Sequence, residues 1–207
     1  MTHVVFDIGG VLISHARSWG DAHRRTSLPW DDYLDSPEFH LATRESVYDH
    51  MSGRITSDEW YARAAALSGV RLTEEGARLV LEAWLFDEYP GVHEVIEAIH
   101  RAGRTTATLS NTNPVHWAQM LDQFPILSRI QHRHASHLLG ASKPDRAIFE
   151  VFEASTGFAR EGILFFDDLQ ENVDTALVCG WRAELIDHTG DPAGQLWRHL
   201  ARHGVLG

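Results

Sequence analysis

The sequence predicts an α/β fold, a parallel sheet core interrupted early by a helical insert, and three observations support it. An apolar segment, His3-Val4-Val5-Phe6, runs into Asp7 and the Gly9-Gly10 pair, and Gly162 to Phe166 repeats the design before Asp167-Asp168. Between residues 15 and 85, Trp, Arg, Asp and Glu recur at helical spacing with no convincing strand. From Pro90 onward, short apolar or β-branched runs alternate with helix-length segments, the pattern of parallel strands joined by right-handed crossovers.

Residues 3–8 form the first strand, closed by glycine punctuation. Within the insert, Thr56-Ser57-Asp58-Glu59 is a capping box, Thr at the cap and Glu three positions on. It starts a helix through Trp60 and Leu67 that stops at Gly69. Thr73 and Glu74 open another through Leu79, Leu81 and Trp84. Pro90 begins a helix through Val95, Ile96 and Ile99 that ends at Gly103, Thr105 to Leu109 is a β-branched strand, and Pro114 opens the next helix. Residues 143–156 are helical with Ile148, Phe149 and Phe152 on one face. A strand over 163–166, a helix over 171–179 and a strand near Arg182–Ile186 complete the pattern. The expected division is a core of residues 1–14 and 88–207 with a helical cap over 15–87. Inserted there, the cap can cover the C-terminal edge of the sheet, where such folds bind ligands.

Composition narrows the function. With 207 residues, 43% hydrophobic and 23% charged, the chain has the make-up of a globular protein. No stretch approaches the roughly 18–20 apolar residues of a membrane span. Residues 3–13 carry Asp7 and two glycines without a basic lead, so no signal peptide is expected. One cysteine, Cys179, excludes an internal disulfide and fits a reducing cytoplasm, where the protein is expected to reside. A net charge of −11 argues against nucleic acid as a partner, which would need clustered Lys and Arg. Among the fourteen histidines, His132, His134 and His137 crowd together, but their spacing is loose and no Cys accompanies them. They read as a solvated loop or helix face rather than a metal site.

Four stations carry the chemistry. Asp7 follows the first strand, Ser110-Asn111 follows Thr105–Leu109, Lys143 precedes the helix at 146, and Asp167-Asp168 follows the strand 163–166. Adjacent carboxylates repel and call for a cation. A nucleophile, a hydroxyl and amide anchor, a lysine and a metal-binding acid pair are what in-line phosphoryl transfer through an aspartyl-phosphate requires. Each station alone has a bland alternative, a turn, a helix cap or a solvated charge. In this order, spaced by 103, 33 and 24 residues, they resemble the haloacid dehalogenase-like hydrolase superfamily over nearly the whole chain. The insert is similar to the cap of its subfamily I. Phe-Asp-Ile-Gly-Gly-Val, Leu-Ser-Asn-Thr-Asn and Phe-Phe-Asp-Asp resemble the bacterial branch that includes α-D-glucose-1-phosphate phosphatase.

The resemblance implies a Rossmann-like parallel sheet core with an inserted helical cap, and a Mg²⁺-dependent phosphatase acting on a small phosphorylated metabolite such as a sugar phosphate. Asp7 would be nucleophile and metal ligand, the Gly9 carbonyl and Asp168 further ligands, and Asp167 the holder of metal-bound water. Ser110, the Asn111 N–H, the Gly9 loop and Lys143 would surround the phosphoryl group, with Lys143 balancing charge. Asn172 would support the acidic loop. Trp19, Arg44, His50 and Trp60 are candidates for the leaving group, although packing or surface roles are commoner for such residues. Most phosphatases of the superfamily carry a second Asp, as general acid and base, where this chain has Gly9. That departure keeps two alternatives open. One is a metal-independent dehalogenase, against which the acid pair argues. The other is a catalytically weak phosphate-binding or regulatory protein. Neither a monomer nor a homodimer is favoured.

Overall fold

The computed structural model describes residues 2–206. Strand β1 (His3–Phe6) lies at the centre of a five-stranded sheet. Its other members are β4 (Thr105–Ser110), β5 (His132–Ala135), β6 (Ile163–Asp167) and β7 (Arg182–Leu185), while β2 (Ile13–His15) and β3 (Leu85–Glu88) form a separate pair. The order is β5-β4-β1-β6-β7 and every pairing is parallel. A sheet covered on both faces needs apolar side chains on both. Val4, Phe6, Leu164 and Phe166 pack to one side with helices α5 (Val92–Arg101), α6 (Pro114–Gln123) and α11 (Pro192–Arg202). Val5, Leu109, Ile163 and Phe165 pack to the other, against Phe149 and Phe152 of α9 (Arg146–Thr156) and Trp181. The alternation follows from the two-residue period of a strand. Short helices α7 (Ile126–Arg129) and α8 (Ser136–Leu139) flank β5, and α10 (Gln170–Val178) joins β6 to β7.

The chain leaves this core through β2 (Ile13–His15) and returns through β3 (Leu85–Glu88), which pair antiparallel with a register irregularity between Ile13 and His15. Between them lie helices α1 (Trp19–His23), α2 (Pro37–Met51), α3 (Ser57–Leu67) and α4 (Glu74–Glu82). They enclose their own apolar cluster around Trp19, Leu34, Phe39, Trp60 and Val80. The Thr56–Glu59 capping box is present in full, with Thr56 Oγ1 accepting from the Glu59 N–H and Glu59 accepting from the Thr56 N–H. Hydrogen bonds tie the helices to the core on two sides. His116 reaches the Leu81 carbonyl at 2.8 Å, while Ser136 Oγ donates to the Met51 carbonyl at 2.5 Å and Ser52 Oγ meets Ser142 Oγ at 3.0 Å.

The structure departs from the expectations in places. Helix α5 starts at Val92, because Gly91 turns the chain with φ of 87° after Pro90. The helical stretch expected from 143 begins at Arg146. Strands β2 and β3 are too short to show a period. His132 and His134 stand on an edge strand instead of a loop or helix face, with rings packed edge-on to Phe158 and Phe152, and His137 lies on α8. Cys179 is buried, and burial pushes its thiol up. No helix among the described residues is long and apolar enough to cross a membrane.

Candidate active site

Parallel strands bring their C-terminal ends to one edge, and the first station is fixed there by main-chain bonds. The Asp7 N–H donates to the Phe166 carbonyl at 2.7 Å, placing Asp7 beside the end of β6. The chain then folds back tightly, with the N–H groups of Leu12 and Ile13 both donating to the Ile8 carbonyl. Two glycines permit this. Gly10 has φ of +76°, and a Cβ there would fall 2.4 Å from Asp168 Cγ. At Gly9 a Cβ would fall 2.7 and 2.9 Å from Cδ2 and Nε2 of His15. The imidazole of His15 thus fills the space that a side chain at position 9 would enter.

Lys143 is the one lysine of the sequence, and its side chain is completely covered. Its Nζ lies 3.1 Å from Asp7 Oδ1 and 2.6 Å from Asp167 Oδ2. Asp167 Oδ1 accepts from the Leu169 N–H at 2.8 Å and from Asn172 Nδ2 at 2.9 Å. Both oxygens of Asp167 are therefore engaged, and its Oδ2 is an ion-pair partner of Lys143. Asn111 uses its side-chain amide to clamp the Lys143 backbone, donating to its carbonyl at 2.7 Å and accepting from its N–H at 2.8 Å. The second and third stations are thereby locked together. Asp168 meets the Arg17 guanidinium at 2.6 Å. Arg17 and His15 were not legible as site residues, since both come from the irregular exit of β2, where no periodicity or motif marks them.

The electrostatics follow from burial. Burial raises the Asp7 carboxyl above the usual range; Lys143 offsets part of this and Asp168 adds to it. Burial likewise raises Asp167 against the pull of Lys143. Burial alone would lower the lysine, but Asp167 and Asp7 hold it raised and charged. Three carboxylates face two cations, Lys143 and Arg17, leaving one net negative charge. Oxygens of Asp7, Asp167 and Asp168 lie within 4.8 Å of one another, the one such cluster among the described residues. Asp7 Oδ1 is buried without a well-aligned hydrogen-bond donor. An all-oxygen, acidic donor set of this kind fits a small hard divalent cation such as Mg²⁺.

A cavity of about 280 Å³ extends from Asp7 toward the helical insert. Trp19, His50 and Trp60 line it, as do His15 and Ser110. Arg44 is exposed and does not line it.

The model of the haloacid dehalogenase-like hydrolases matches residues 1–180. The chain belongs to this family. It is 29% identical over 213 residues to phosphatase MT3486 of Mycobacterium tuberculosis (strain CDC 1551 / Oshkosh), covering 98% of this chain and 95% of that one. Among solved structures it is similar to a predicted HAD-like hydrolase of Porphyromonas gingivalis, with TM-score 0.74, 26% identity and coverage of 97% and 98%. It also resembles the HAD family enzyme bt-2542 of Bacteroides thetaiotaomicron, with TM-score 0.78, 20% identity and coverage of 98% of both chains. The same bt-2542 enzyme has been solved in complex with magnesium and inorganic phosphate, a structure that matches at TM-score 0.69 and 19% identity, over 89% of this chain and 93% of that one.

Proposed function

We propose that the protein is a Mg²⁺-dependent phosphomonoester hydrolase that works through an aspartyl-phosphate on Asp7, with residues 15–87 acting as a cap over the site. The observation that carries this reading is Asp7 held 3.1 Å from a fully buried lysine, with two further carboxylates within 4.8 Å, in the lining of a cavity. The 29% identity to a phosphatase supports it, and so does the magnesium and phosphate complex of bt-2542. The cluster that Asp167 and Asp168 form with Asp7 favours a metal-dependent phosphatase over a metal-independent dehalogenase. The substrate class of this reading is a small phosphorylated metabolite, of which a sugar phosphate is one.

In this mechanism an Asp7 oxygen attacks phosphorus in line while the ester oxygen departs. Ser110 and the Asn111 N–H hold the phosphoryl oxygens, and Lys143 stays between Asp7 and Asp167 as a fixed positive charge. Bound through Asp7, Asp168 and the Gly9 carbonyl, Mg²⁺ would neutralise charge on the phosphoryl oxygens. Water then attacks the phosphorus of the aspartyl-phosphate and must lose a proton. Gly9 offers no base, and His15 stands in its place. His15 Nδ1 lies 2.7 Å from the Ala16 carbonyl, which only accepts, so Nδ1 carries the proton and Nε2 presents a lone pair. Burial pushes the ring below the ordinary imidazole range, which keeps it neutral near pH 7 and ready to accept a proton from water. A neutral ring donates poorly, so the first step favours alcohols that depart with little protonation.

The test is phosphate release from acyl, sugar, alkyl and aryl phosphates with Mg²⁺ and with chelator, beside the D7N protein. Mg²⁺-dependent release that D7N lacks is the expected result. Equal release by D7N would remove Asp7 as nucleophile, and silence of folded protein toward every ester would favour the binding or regulatory reading.

A further inference from the structure

The leaving-group end of the cavity is walled mainly by aromatic and aliphatic side chains. His50, Trp60 and Trp19 stack in series, with ring centroids 5.4 and 5.8 Å apart, and Trp84 stands edge-on to Trp19 at 6.3 Å. Val80 and Leu81 continue this wall. Three of the polar side chains that border the cavity already have partners. Arg17 is paired with Asp168, and His50 Nε2 lies 3.0 Å from Ser57 Oγ. His116 uses one ring nitrogen on the Leu81 carbonyl and the other on Asn113. Four buried polar atoms at the cavity have no well-aligned partner: Asp7 Oδ1 and Asn172 Oδ1 belong to the carboxylate end, which leaves the Trp60 indole N–H and the Thr112 hydroxyl oxygen for the rest of the wall. Trp60 and Thr112 are buried, at 3% and 1% exposure.

A hexose brings several hydroxyls, each of which loses its water on entry and needs a partner. This wall offers two. An aromatic ring loses nothing on leaving water and packs against indole faces and edges. We infer that the substrate is a phosphomonoester of an aromatic alcohol, its ring seated among Trp19, Trp60 and Trp84 and at most one or two polar substituents meeting Trp60 and Thr112. The volume, about 280 Å³, lies just below the roughly 300–1,000 Å³ usual for ligand pockets and suits one mono- or bicyclic ring beside the phosphate. The inference rests on the phosphatase reading for the phosphate end and on the cavity wall alone for the other.

The experiment has a kinetic arm and a binding arm. The first compares kcat/KM for 1-naphthyl phosphate, glucose 1-phosphate and acetyl phosphate. Acetyl phosphate has a reactive leaving group without a ring, so it separates recognition from intrinsic reactivity. The second measures binding of 1-naphthol and of glucose by calorimetry, which needs no turnover. The expected result is a KM for the naphthyl ester at least tenfold below both others, with 1-naphthol binding and glucose not. W84A should shrink that preference at least fivefold, and the conservative W84F should restore most of it. A kcat/KM for glucose 1-phosphate equal to or above that for the naphthyl ester, with D7N still inactive, would overturn the inference and leave the phosphatase reading standing. Absence of D7N-sensitive turnover on all three, with 1-naphthol bound, would overturn the phosphatase reading instead. Failure of 1-naphthol to bind would overturn the inference whatever the kinetics.

Discussion

Gly9 and His15 are one arrangement seen from two positions. An Asp introduced at 9 would start 2.7 Å from the His15 ring, so it cannot enter without displacing that ring. G9D is therefore expected to lower turnover instead of restoring an ordinary acid–base residue, and a rise in kcat would refute the assignment of His15. H15N should slow dephosphorylation by about 10²–10⁴, the usual worth of a general base, and so let the aspartyl-phosphate accumulate. A burst of alcohol release ahead of phosphate is the measurement. K143R should be inactive too, because a forked guanidinium has no room in a fully covered slot shaped for one ammonium between two carboxylates. The four stations could be read from the sequence because each follows a strand or opens a helix. His15, Arg17 and the clamp from Asn111 to Lys143 could not, because they depend on how a short irregular strand and two distant loops meet.

At the scale of elements, local chemistry explains what was legible. The helix opened by Thr56 starts where the sequence placed it, since the capping box states its own geometry. T56A should cost about 1 kcal/mol, which lowers the unfolding midpoint by roughly 2–4 °C in a chain of this size, with kcat unchanged. A loss of activity without loss of stability would mean the α3 start touches the site. The unexpected strands, β2, β3 and β5, have three or four residues each, and β5 is an edge strand whose His132 and Arg133 are exposed. Their identity comes from pairing partners and not from their own pattern. Helix α11 carries a signal, Pro192 at its start and Leu196 and Leu200 buried one turn apart, but lies beyond the last element expected.

For the whole molecule, pH should act through the joint between the insert and the core. His116 bridges α6 to the Leu81 carbonyl, and burial holds its ring down to about 4; burial does the same to His50. Both rings titrate near 6.5 when unfolded. Above pH 6.5 neither state takes up the proton. Between 6.5 and 4 the unfolded chain binds protons that the folded chain refuses, so stability falls as pH falls, by up to about 1.4 kcal/mol per pH unit for each ring. Urea unfolding midpoints from pH 7.5 to 4 measure this, and H116Q should flatten part of the slope. A midpoint level across that range would show that these rings are not held neutral.

The sequence carries seventeen arginines but a single lysine, and that lysine is sealed between Asp7 and Asp167. Apart from the chain's own amino terminus, an amine-directed reagent has one target, and in the folded protein it cannot reach it. Modification at position 143 therefore counts molecules whose site has come apart, and the rate at which it appears is a clock for that opening. Nature has in effect written a footprinting label into the native chain, so the breathing of this site can be followed without engineering a probe into it.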